Sequence, residues 1–326
     1  MMYDFTSIGE LLIDFTPIEI TNTENPVYAQ HLGGAPANVA SILSILGWKT
    51  SFIGKVGNDE FGRFCRDKLS EVGVDVSNLI ISNEHNTTLA FVHLDKYGDR
   101  DFTFYRKGMA DTSLLKKEIL PETLANTKFF HFGSVSLTQD PVRESTIYAV
   151  EQAKRLGAII SYDPNLRPQL WENMHEAKDT IINALEYVDI LKLSEGESEF
   201  LFDNRDCEEV AKLISEEYSI PFVLITRGNR GSIAYVNNKI YKSLAYDVKT
   251  INTTGAGDSA FAGVIHNILK LQKSILSLES EEIIYMLDFA NALGSLMTTR
   301  NGIILDVQLI DKIEECMRVV PRLVVQ

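Results

Sequence analysis

The sequence predicts an α/β protein whose parallel central sheet is covered by helices on both faces. Strand-like and helix-like stretches alternate along most of the 326 residues, and this alternation is typical of parallel strands joined by helical crossovers. Hydrophobic residues make up 45% of the chain and charged residues 23%, which is the composition of an ordinary globular protein. Since no repeat, linker or low-complexity tract divides the chain, we expect a single domain over residues 1–326.

Short apolar stretches predict the strands of this sheet. They lie at residues 3–8, 50–56, 128–133, 158–162, 189–193 and 221–226. Longer stretches between and after them predict the helices. These lie at residues 35–46, 59–72, 141–156, 206–218, 257–270 and 280–299. Asp140 and Pro141 provide a suitable N-cap and first helical position for the helix at 141–156.

Two stretches interrupt the alternation, at about residues 11–31 and 86–106. Both have the polar alternation of exposed strands, as in residues 88–94. The Tyr-Gly-Asp-Arg sequence at 97–100 predicts a hairpin turn between two strands. A small β-layer inserted into an α/β core would suit a lid over a binding site. The pattern is equally consistent with two surface hairpins that have no such role.

Charge and cysteine content exclude several classes of protein. The formal net charge of −14 makes nucleic acid and anionic membranes poor partners. Cys65, Cys207 and Cys316 are scattered without a CxxC pair, which argues against a disulfide framework and a zinc site. The N-terminus lacks a basic, apolar signal, and no apolar run approaches the roughly 18 residues of a membrane span. We therefore expect a soluble, cytoplasmic protein.

The most informative segment is residues 252–263, with the sequence Asn-Thr-Thr-Gly-Ala-Gly-Asp-Ser-Ala-Phe-Ala-Gly. Small residues crowd a turn that leads directly into an apolar helix, whose free N–H groups and dipole would form an anion site. A carboxylate at Asp258 would repel a phosphate there, unless it accepts a proton from a hydroxyl that attacks the phosphate. The amides of Gly255, Ala256 and Gly257 would then stabilise the charge that develops on the transferred group.

Other kinds of site share features of this segment. Gly-rich turns followed by an aspartate N-cap occur in many proteins without an anion site. Gly255, Gly257 and Ala260 also fit the dinucleotide-binding fingerprint, but that fingerprint requires a following strand, and the next residues are helix-like. No GxxxxGK[ST] sequence occurs in the chain, which excludes a P-loop.

Residues 252–258 resemble the C-terminal signature of the ribokinase-like (pfkB) family of carbohydrate kinases. The N-terminal signature is matched by residues 33–40, with the sequence Gly-Gly-Ala-Pro-Ala-Asn-Val-Ala, and by residues 54–62. The resemblance covers about residues 3–305. It implies an ATP-dependent kinase with a three-layer α/β/α ribokinase-like fold, a mostly parallel central sheet and a small β-sheet lid. The lid often forms a homodimer interface in this family.

The resemblance also implies roles for particular residues. Asp258 would be the catalytic base, and Gly255, Ala256 and Gly257 would form the anion hole. The remaining positions match the family's nucleotide and sugar contacts. The nucleotide contacts are Thr226, Gly228, Gly231 and, less directly, Asn291; the sugar contacts are Asp14, Gly33, Gly34 and Asn38. A carboxylate such as that of Asp14 can accept two hydroxyl hydrogen bonds.

Two positions depart from the family pattern. Asn252 replaces an aspartate that helps to hold a monovalent cation, so potassium activation is in question. In the family's N-x-x-E motif, which is linked to Mg²⁺ placement, Ser194 replaces asparagine and Glu197 is retained. Ser-x-x-Glu is also a helix capping box, which explains the two residues without a metal.

The substrate prediction is fructose, because several segments resemble those of bacterial fructokinases. They include residues 33–40, 102–106 and 163–167. Arg106 and Arg167 would grip hydroxyl or phosphate oxygens, and Phe104 would close the apolar side of the pocket. Phe102 is expected only to pack within the lid. A 2-keto-3-deoxygluconate kinase, another ribokinase-like sugar kinase and a non-catalytic sugar or nucleotide sensor remain alternatives, and a nicotinamide-dependent dehydrogenase is a weaker one.

Overall fold

The computed structural model describes residues 2–18, 25, 27–94, 100–300 and 308–324. Thirteen strands are present in these residues: β1 (Tyr3–Ile8), β2 (Leu12–Ile18), β3 (Val27–Gly33), β4 (Thr50–Gly57), β5 (Leu79–Ser82), β6 (Leu89–Leu94), β7 (Arg100–Tyr105), β8 (Thr127–Phe132), β9 (Ile159–Tyr162), β10 (Ile190–Ser194), β11 (Phe222–Thr226), β12 (Ser232–Val236) and β13 (Lys239–Ser243). The same residues contain ten α-helices: α1 (Ala35–Ile45), α2 (Glu60–Glu71), α3 (Pro121–Ala125), α4 (Val142–Arg155), α5 (Met174–Asn183), α6 (Glu195–Leu201), α7 (Cys207–Tyr218), α8 (Ala256–Leu271), α9 (Ser280–Met297) and α10 (Leu309–Val319).

Nine of the described strands form the central sheet, in the order β13-β12-β11-β10-β9-β8-β1-β4-β5. The seven strands from β11 to β5 are parallel, and β12 and β13 add an antiparallel hairpin at one edge. The predicted α/β class and mostly parallel sheet are therefore confirmed. All six predicted core strands and all six predicted helices are present, within a few residues of their expected bounds.

Helices cover both faces of this sheet. Alternate side chains of each strand point in opposite directions, and both sets are apolar, so both faces must be buried. In β11, Phe222 and Leu224 join the apolar core that includes α1, α8 and α9. Val223 and Ile225 join the second core, with α4, α5 and α7. Among the described residues, no helix is both long and apolar enough to cross a membrane. The cytoplasmic location stays a prediction.

A second sheet of four strands, in the order β3-β2-β6-β7, lies beside the central one. We refer to it as the lid sheet. β2 pairs antiparallel with β3 and parallel with β6, and β6 pairs antiparallel with β7. The strands predicted at 11–31 and 86–106 are present in the described parts of those segments. Residues 19–24, 26 and 95–99, which include most of the expected hairpin turn, lie outside the described residues.

Two local expectations need correction. Helix α4 begins one residue late, with Pro141 at the N-cap position and no side-chain capping bond, so Asp140 does not cap it. The β12–β13 hairpin was not predicted, although its two-residue turn has a sequence signal. Asn237 and Asn238 both adopt positive φ angles, of 51° and 60°, which asparagine tolerates better than most residues and which two-residue hairpin turns require.

Candidate active site

The carboxyl ends of the parallel strands converge on one edge of the sheet, where ligand sites of open α/β proteins form. Asp163 directly follows β9, and Ser194 and Thr226 are the last residues of β10 and β11. Helix α8 begins at the same edge. Its N-cap is Gly255, with a φ of 76° that favours glycine.

Asp258 is the third residue of α8 and is only 6% exposed. Its Oδ2 accepts a hydrogen bond of 2.7 Å from Asn38 Nδ2, and its Oδ1 accepts a longer one of 3.4 Å from Asn165 Nδ2. Burial raises the pKa of Asp258 above the usual aspartate value, although the Asn38 hydrogen bond and the charges of Lys192 and Arg167 lower it. The carboxyl group is thus fixed in orientation and is a stronger base than an exposed aspartate.

A buried ion pair lies beside this carboxylate. Lys192 Nζ is 2.9 Å from Asp163 Oδ2, and both side chains are almost fully buried. Burial opposes the charge of Lys192, but the carboxylates of Asp163, Glu197 and Asp258 together raise its pKa. A permanent positive charge is therefore held within the sheet edge, as a site for phosphate oxygens requires.

One cavity, of about 440 Å³, opens on the Asp258 side, and we call it cavity A. It is lined by predicted site residues from the lid sheet, α1, α8 and the loop after β9. They are Asp14, Gly34, Asn38, Phe104, Arg167, Gly255, Gly257 and Asp258. Desolvation raises the pKa of Asp14 to about 6, against the charge of Arg167. A pocket rich in carboxylates and amides suits a ligand with several hydroxyl groups.

Gly33 and Gly34, which directly precede α1, leave room for the part of cavity A that carries Asp14. A Cβ atom on Gly33 would lie 2.5 Å from Asp14 Oδ2, so glycine gives the carboxylate its room. Gly34 has a φ of 118°, and a Cβ there would lie 2.3 Å from the backbone oxygen of Glu10. The absence of a side chain at both positions therefore lets residues 10–14 and the start of α1 pack closely. The sugar contacts predicted for Gly33 and Gly34 stay predictions.

The aromatic side of cavity A differs from the expectation for Phe102. Phe102 and Phe104 are two residues apart in β7, so they share a face, and both line the cavity. Their rings stack with centroids 5.8 Å apart. The guanidinium carbon of Arg167 lies 5.7 Å from the Phe102 ring centroid, within cation–π range. Phe102 therefore forms part of the cavity wall, and the expectation of simple lid packing was wrong.

A second cavity, of about 680 Å³, lies on the other side of the α8 start, and we call it cavity B. The predicted nucleotide contacts Thr226, Gly228, Gly231 and Asn291 all line it, and so does Ala256. A Cβ on Gly231 would lie 2.0 Å from the Ser243 backbone oxygen. Asn291 Nδ2 donates to that same oxygen at 3.0 Å. Gly231 and Asn291 thus fix the wall of cavity B where β12 and β13 pair.

The two cavities share a boundary. Lys192, Thr253 and Gly257 line both of them, whereas Asp258 lines cavity A alone. An alcohol in cavity A could therefore meet an anionic group in cavity B next to a lysine ammonium, backbone amides and a buried base. This arrangement can support transfer of a phosphoryl group from one ligand to the other.

Four predicted residues do not line either cavity: Gly33, whose contact with Asp14 is described above, Arg106, Glu197 and Asn252. Arg106 is buried and forms an ion pair of 2.6 Å with Asp111. Glu197 Oε2 accepts hydrogen bonds from the backbone N–H and hydroxyl of Ser194, while its Oε1 accepts one from Leu166 N. The capping box at the start of α6 is therefore formed. Asn252 is buried in the turn before α8, where its Oδ1 accepts from Thr254 N at 2.8 Å. Their ligand roles stay predictions.

The sequence analysis did not identify four residues that the structure places at this site. Lys192, Asp163, Asn165 and Glu10 were not among the candidates. The sequence could have identified Lys192 as a buried cation, because a lysine inside the apolar run of β10 needs a buried partner. Asn165 has a φ of 47°, and that strain is visible only in the structure.

Comparisons with known proteins agree with this geometry. The family model described as pfkB family carbohydrate kinase matches residues 2–309. Probable fructokinase-2 of Arabidopsis thaliana is 38% identical over 300 residues, or 91% of each chain. The crystal structure of fructokinase with bound ATP from Xylella fastidiosa has a TM-score of 0.87 and 28% identity, covering 97% of this chain and 99% of that one. A fructokinase double mutant from Vibrio cholerae O395, in fructose, ADP and potassium ion bound form, has a TM-score of 0.85 and 31% identity, covering 96% and 99%.

The Lys192–Asp163 pair gives a prediction about stability. Lys192→Met should lower the free energy of unfolding by about 3–5 kcal/mol, because it leaves the buried Asp163 carboxylate without its partner. In the variant, burial holds the folded-state pKa of Asp163 above its unfolded value. The stability loss should therefore be smaller at pH 5 than at pH 8, as measured by urea unfolding at both pH values.

The matched control is Lys178→Met. Lys178 pairs with Asp203 at 2.6 Å, but the Asp203 side chain is 79% exposed, so the change should cost far less stability than Lys192→Met. Equal losses in the two variants, or a Lys192→Met loss that does not depend on pH, would contradict the account of a buried pair.

Proposed function

Because the chain belongs to the pfkB family of carbohydrate kinases, we propose that it is an ATP-dependent fructokinase. The observation that carries this proposal is the position of Asp258, a buried base in cavity A beside the boundary with cavity B. Fructose is supported by the names of the relatives and by the Vibrio cholerae structure with fructose and ADP bound. Cavity A would hold the sugar, and cavity B would hold the nucleotide.

In the proposed reaction, Asp258 accepts the proton of a fructose hydroxyl. The hydroxyl oxygen forms a bond to the γ-phosphorus of ATP, while the bond from that phosphorus to the β–γ bridging oxygen breaks and ADP leaves. Asn38 and Asn165 hold the carboxylate in orientation. The amides at residues 255–257 and the ammonium of Lys192 stabilise the negative charge on the transferred group.

A divalent cation would supply charge neutralisation between the phosphate groups, as Mg²⁺ does for nucleotides generally. The three hydrogen bonds that Glu197 accepts use three of its roughly four acceptor positions. Glu197 would help to hold this cation with its remaining acceptor capacity. Asn252 would contribute an amide oxygen to a potassium ion, and comparing turnover in potassium and in choline salts tests that assignment.

The outer face of the lid sheet supports a homodimer. Phe15, Tyr28, Phe91 and Tyr105 form a connected aromatic cluster on this face, with ring centroids 4.9–5.7 Å apart, and Phe15 also packs against Phe61 of α2. Tyr105 is 58% exposed despite its size. Since exposed aromatic patches mark interaction sites, we propose that two copies pair through their lid sheets.

The central prediction concerns the base. Asp258→Asn should reduce the turnover of fructose by ~10²–10⁴, because the amide cannot take the hydroxyl proton, while ATP binding in cavity B is retained. A coupled ADP-release assay and a nucleotide titration measure the two quantities. Mass detection of fructose phosphate identifies the product.

Two outcomes would contradict this account. Near wild-type turnover in Asp258→Asn would remove Asp258 as the base. Absence of ADP release by the wild-type protein with fructose and a broad panel of sugars would favour a non-catalytic sensor.

The dimer also gives a prediction. Light scattering of the wild-type protein should yield the mass of two chains of 36.6 kDa, and Tyr105→Asp should yield that of one, because it places a charge in an apolar interface. Lys178→Asp, a change in helix α5 outside the lid strands, should remain dimeric. A monomeric wild-type protein would exclude the lid interface.

A further inference from the structure

Residues 320–324 follow helix α10 and reach the wall of cavity B, and we call them the C-terminal segment. Leu323 lines cavity B and is half-buried. None of these described residues lines cavity A. The match to the family model ends at residue 309, so the segment lies outside that match, and the proposed reaction gives it no role.

The backbone of the C-terminal segment pairs with residues 245–247, which follow β13, through an antiparallel bridge. Leu323 N donates a hydrogen bond of 2.8 Å to the Ala245 carbonyl oxygen. Asp247 N donates one of 2.9 Å to the Pro321 carbonyl oxygen. These two bonds fix the register, so Leu323 lies beside Ala245, which also lines cavity B.

Arg322 attaches the same segment to the body of the protein. Its Nη2 lies 2.7 Å from Asp288 Oδ2 of α9, and its Nη1 donates to the Leu244 carbonyl oxygen at 3.0 Å. Its guanidinium carbon lies 3.9 Å from the centroid of the Tyr246 ring, within cation–π range. Asp288 Oδ1 in turn accepts a hydrogen bond of 2.6 Å from Ser243 Oγ. Arg322 therefore joins the C-terminal segment to α9 and to the end of β13.

Leu323 belongs to an apolar part of the cavity B wall. Ala245, Val248 and Ala260 line this cavity too, and none of them lines cavity A. In the proposed reaction the phosphate groups lie at the boundary with cavity A, so the base of the nucleotide lies away from that boundary. A planar base needs an apolar wall with a few polar groups, and this part of cavity B provides one.

We propose that Leu323 contacts the base of the bound nucleotide and that Arg322 positions it by holding the C-terminal segment against cavity B. The inference rests on the proposed function and identifies residues that determine nucleotide affinity. The segment is attached to the surface of the core by few backbone hydrogen bonds, which favours local opening. A nucleotide that contacts Leu323 only in the attached state stabilises that state.

The first test is the Kd of ADP for Leu323→Ala, measured by titration calorimetry in the presence of Mg²⁺. The Kd should rise by about 5- to 30-fold, because the variant loses most of the apolar contact with the base, while the KM for fructose stays unchanged. Val324→Ala is the matched control. Val324 is the next residue, is 73% exposed and lines neither cavity, so its variant should bind ADP like the wild type.

Arg322→Met tests the positioning role. It should raise the Kd of ADP and speed the hydrogen exchange of the Leu323 amide, because the segment loses its attachment to Asp288. Arg322→Lys keeps a cation beside Asp288, so both values should lie between those of Arg322→Met and the wild type. Arg318→Met, a change at an exposed position of α10, is the control and should match the wild type.

Hydrogen exchange of the wild-type protein gives a measurement that does not depend on activity. ADP should slow the exchange of the Leu323 and Asp247 amides, because both donate across the bridge only while the segment is attached. The Asp75 amide, which donates to the Thr50 carbonyl oxygen at 2.9 Å, lies outside cavity B and should exchange at the same rate with and without ADP.

The outcomes separate this inference from the proposed function. Wild-type Kd values for ADP in both Leu323→Ala and Arg322→Met, or equal losses in Leu323→Ala and Val324→Ala, would overturn the inference while fructose turnover stands. ADP binding that depends on Leu323, without turnover of any sugar, would contradict the function alone. Absence of ADP binding by the wild-type protein would contradict both. If Leu323→Ala does not fold, the exchange measurement decides, and equal exchange of the Leu323 amide with and without ADP would overturn the inference.

Discussion

The proposed reaction depends on keeping one carboxylate buried where negatively charged phosphate would also bind. Asp258 has little access to solvent, and its pKa is raised by burial. Neighbouring groups compensate for this placement without neutralising the base. Asn38 and Asn165 donate hydrogen bonds to its two oxygens, and Lys192 supplies positive charge while it remains paired with Asp163. The backbone amides at the start of α8 would add the capacity for anions, although the Ala256 N–H also donates to the Thr253 carbonyl oxygen at 3.3 Å. The same environment that makes the charge costly also makes the carboxylate a better acceptor for a hydroxyl proton.

The fold provides this environment by bringing distant segments to one sheet edge. Asn38 comes from α1, Lys192 from β10 and Asp258 from α8, so their order in the sequence is unrelated to their proximity. The lid sheet then closes the side of cavity A that the central sheet leaves open, with Asp14 from β2 and Phe102 and Phe104 from β7. One face of the lid sheet lines cavity A and the opposite face carries the aromatic cluster, because successive residues of a strand point to opposite sides. The proposed sugar contact and the proposed subunit contact therefore use opposite faces of the same four strands.

The sequence was sufficient for the fold class and for the glycine-rich start of α8, because both are local patterns. Alternation of strands and helices and the small residues at 255–257 have direct structural consequences. Contacts between residues that are far apart in the sequence could not be predicted from such local patterns. Lys192 could be anticipated as a buried cation but not assigned to Asp163. The position of Phe102 in the wall of cavity A depends on how the lid sheet packs over the core. Arg106 shows the same limit, since its ion pair with Asp111 requires the folded arrangement.

The most direct test of the central claim is the pH dependence of kcat for the wild-type protein, measured with saturating fructose and MgATP. Under these conditions the profile reports groups in the complex with both substrates. The account predicts that kcat falls on the acidic side with an apparent pKa above the usual aspartate value, because burial favours the protonated form of Asp258 and only the carboxylate can accept the proton. A kcat that stays constant as the pH is lowered to the usual aspartate pKa would contradict it.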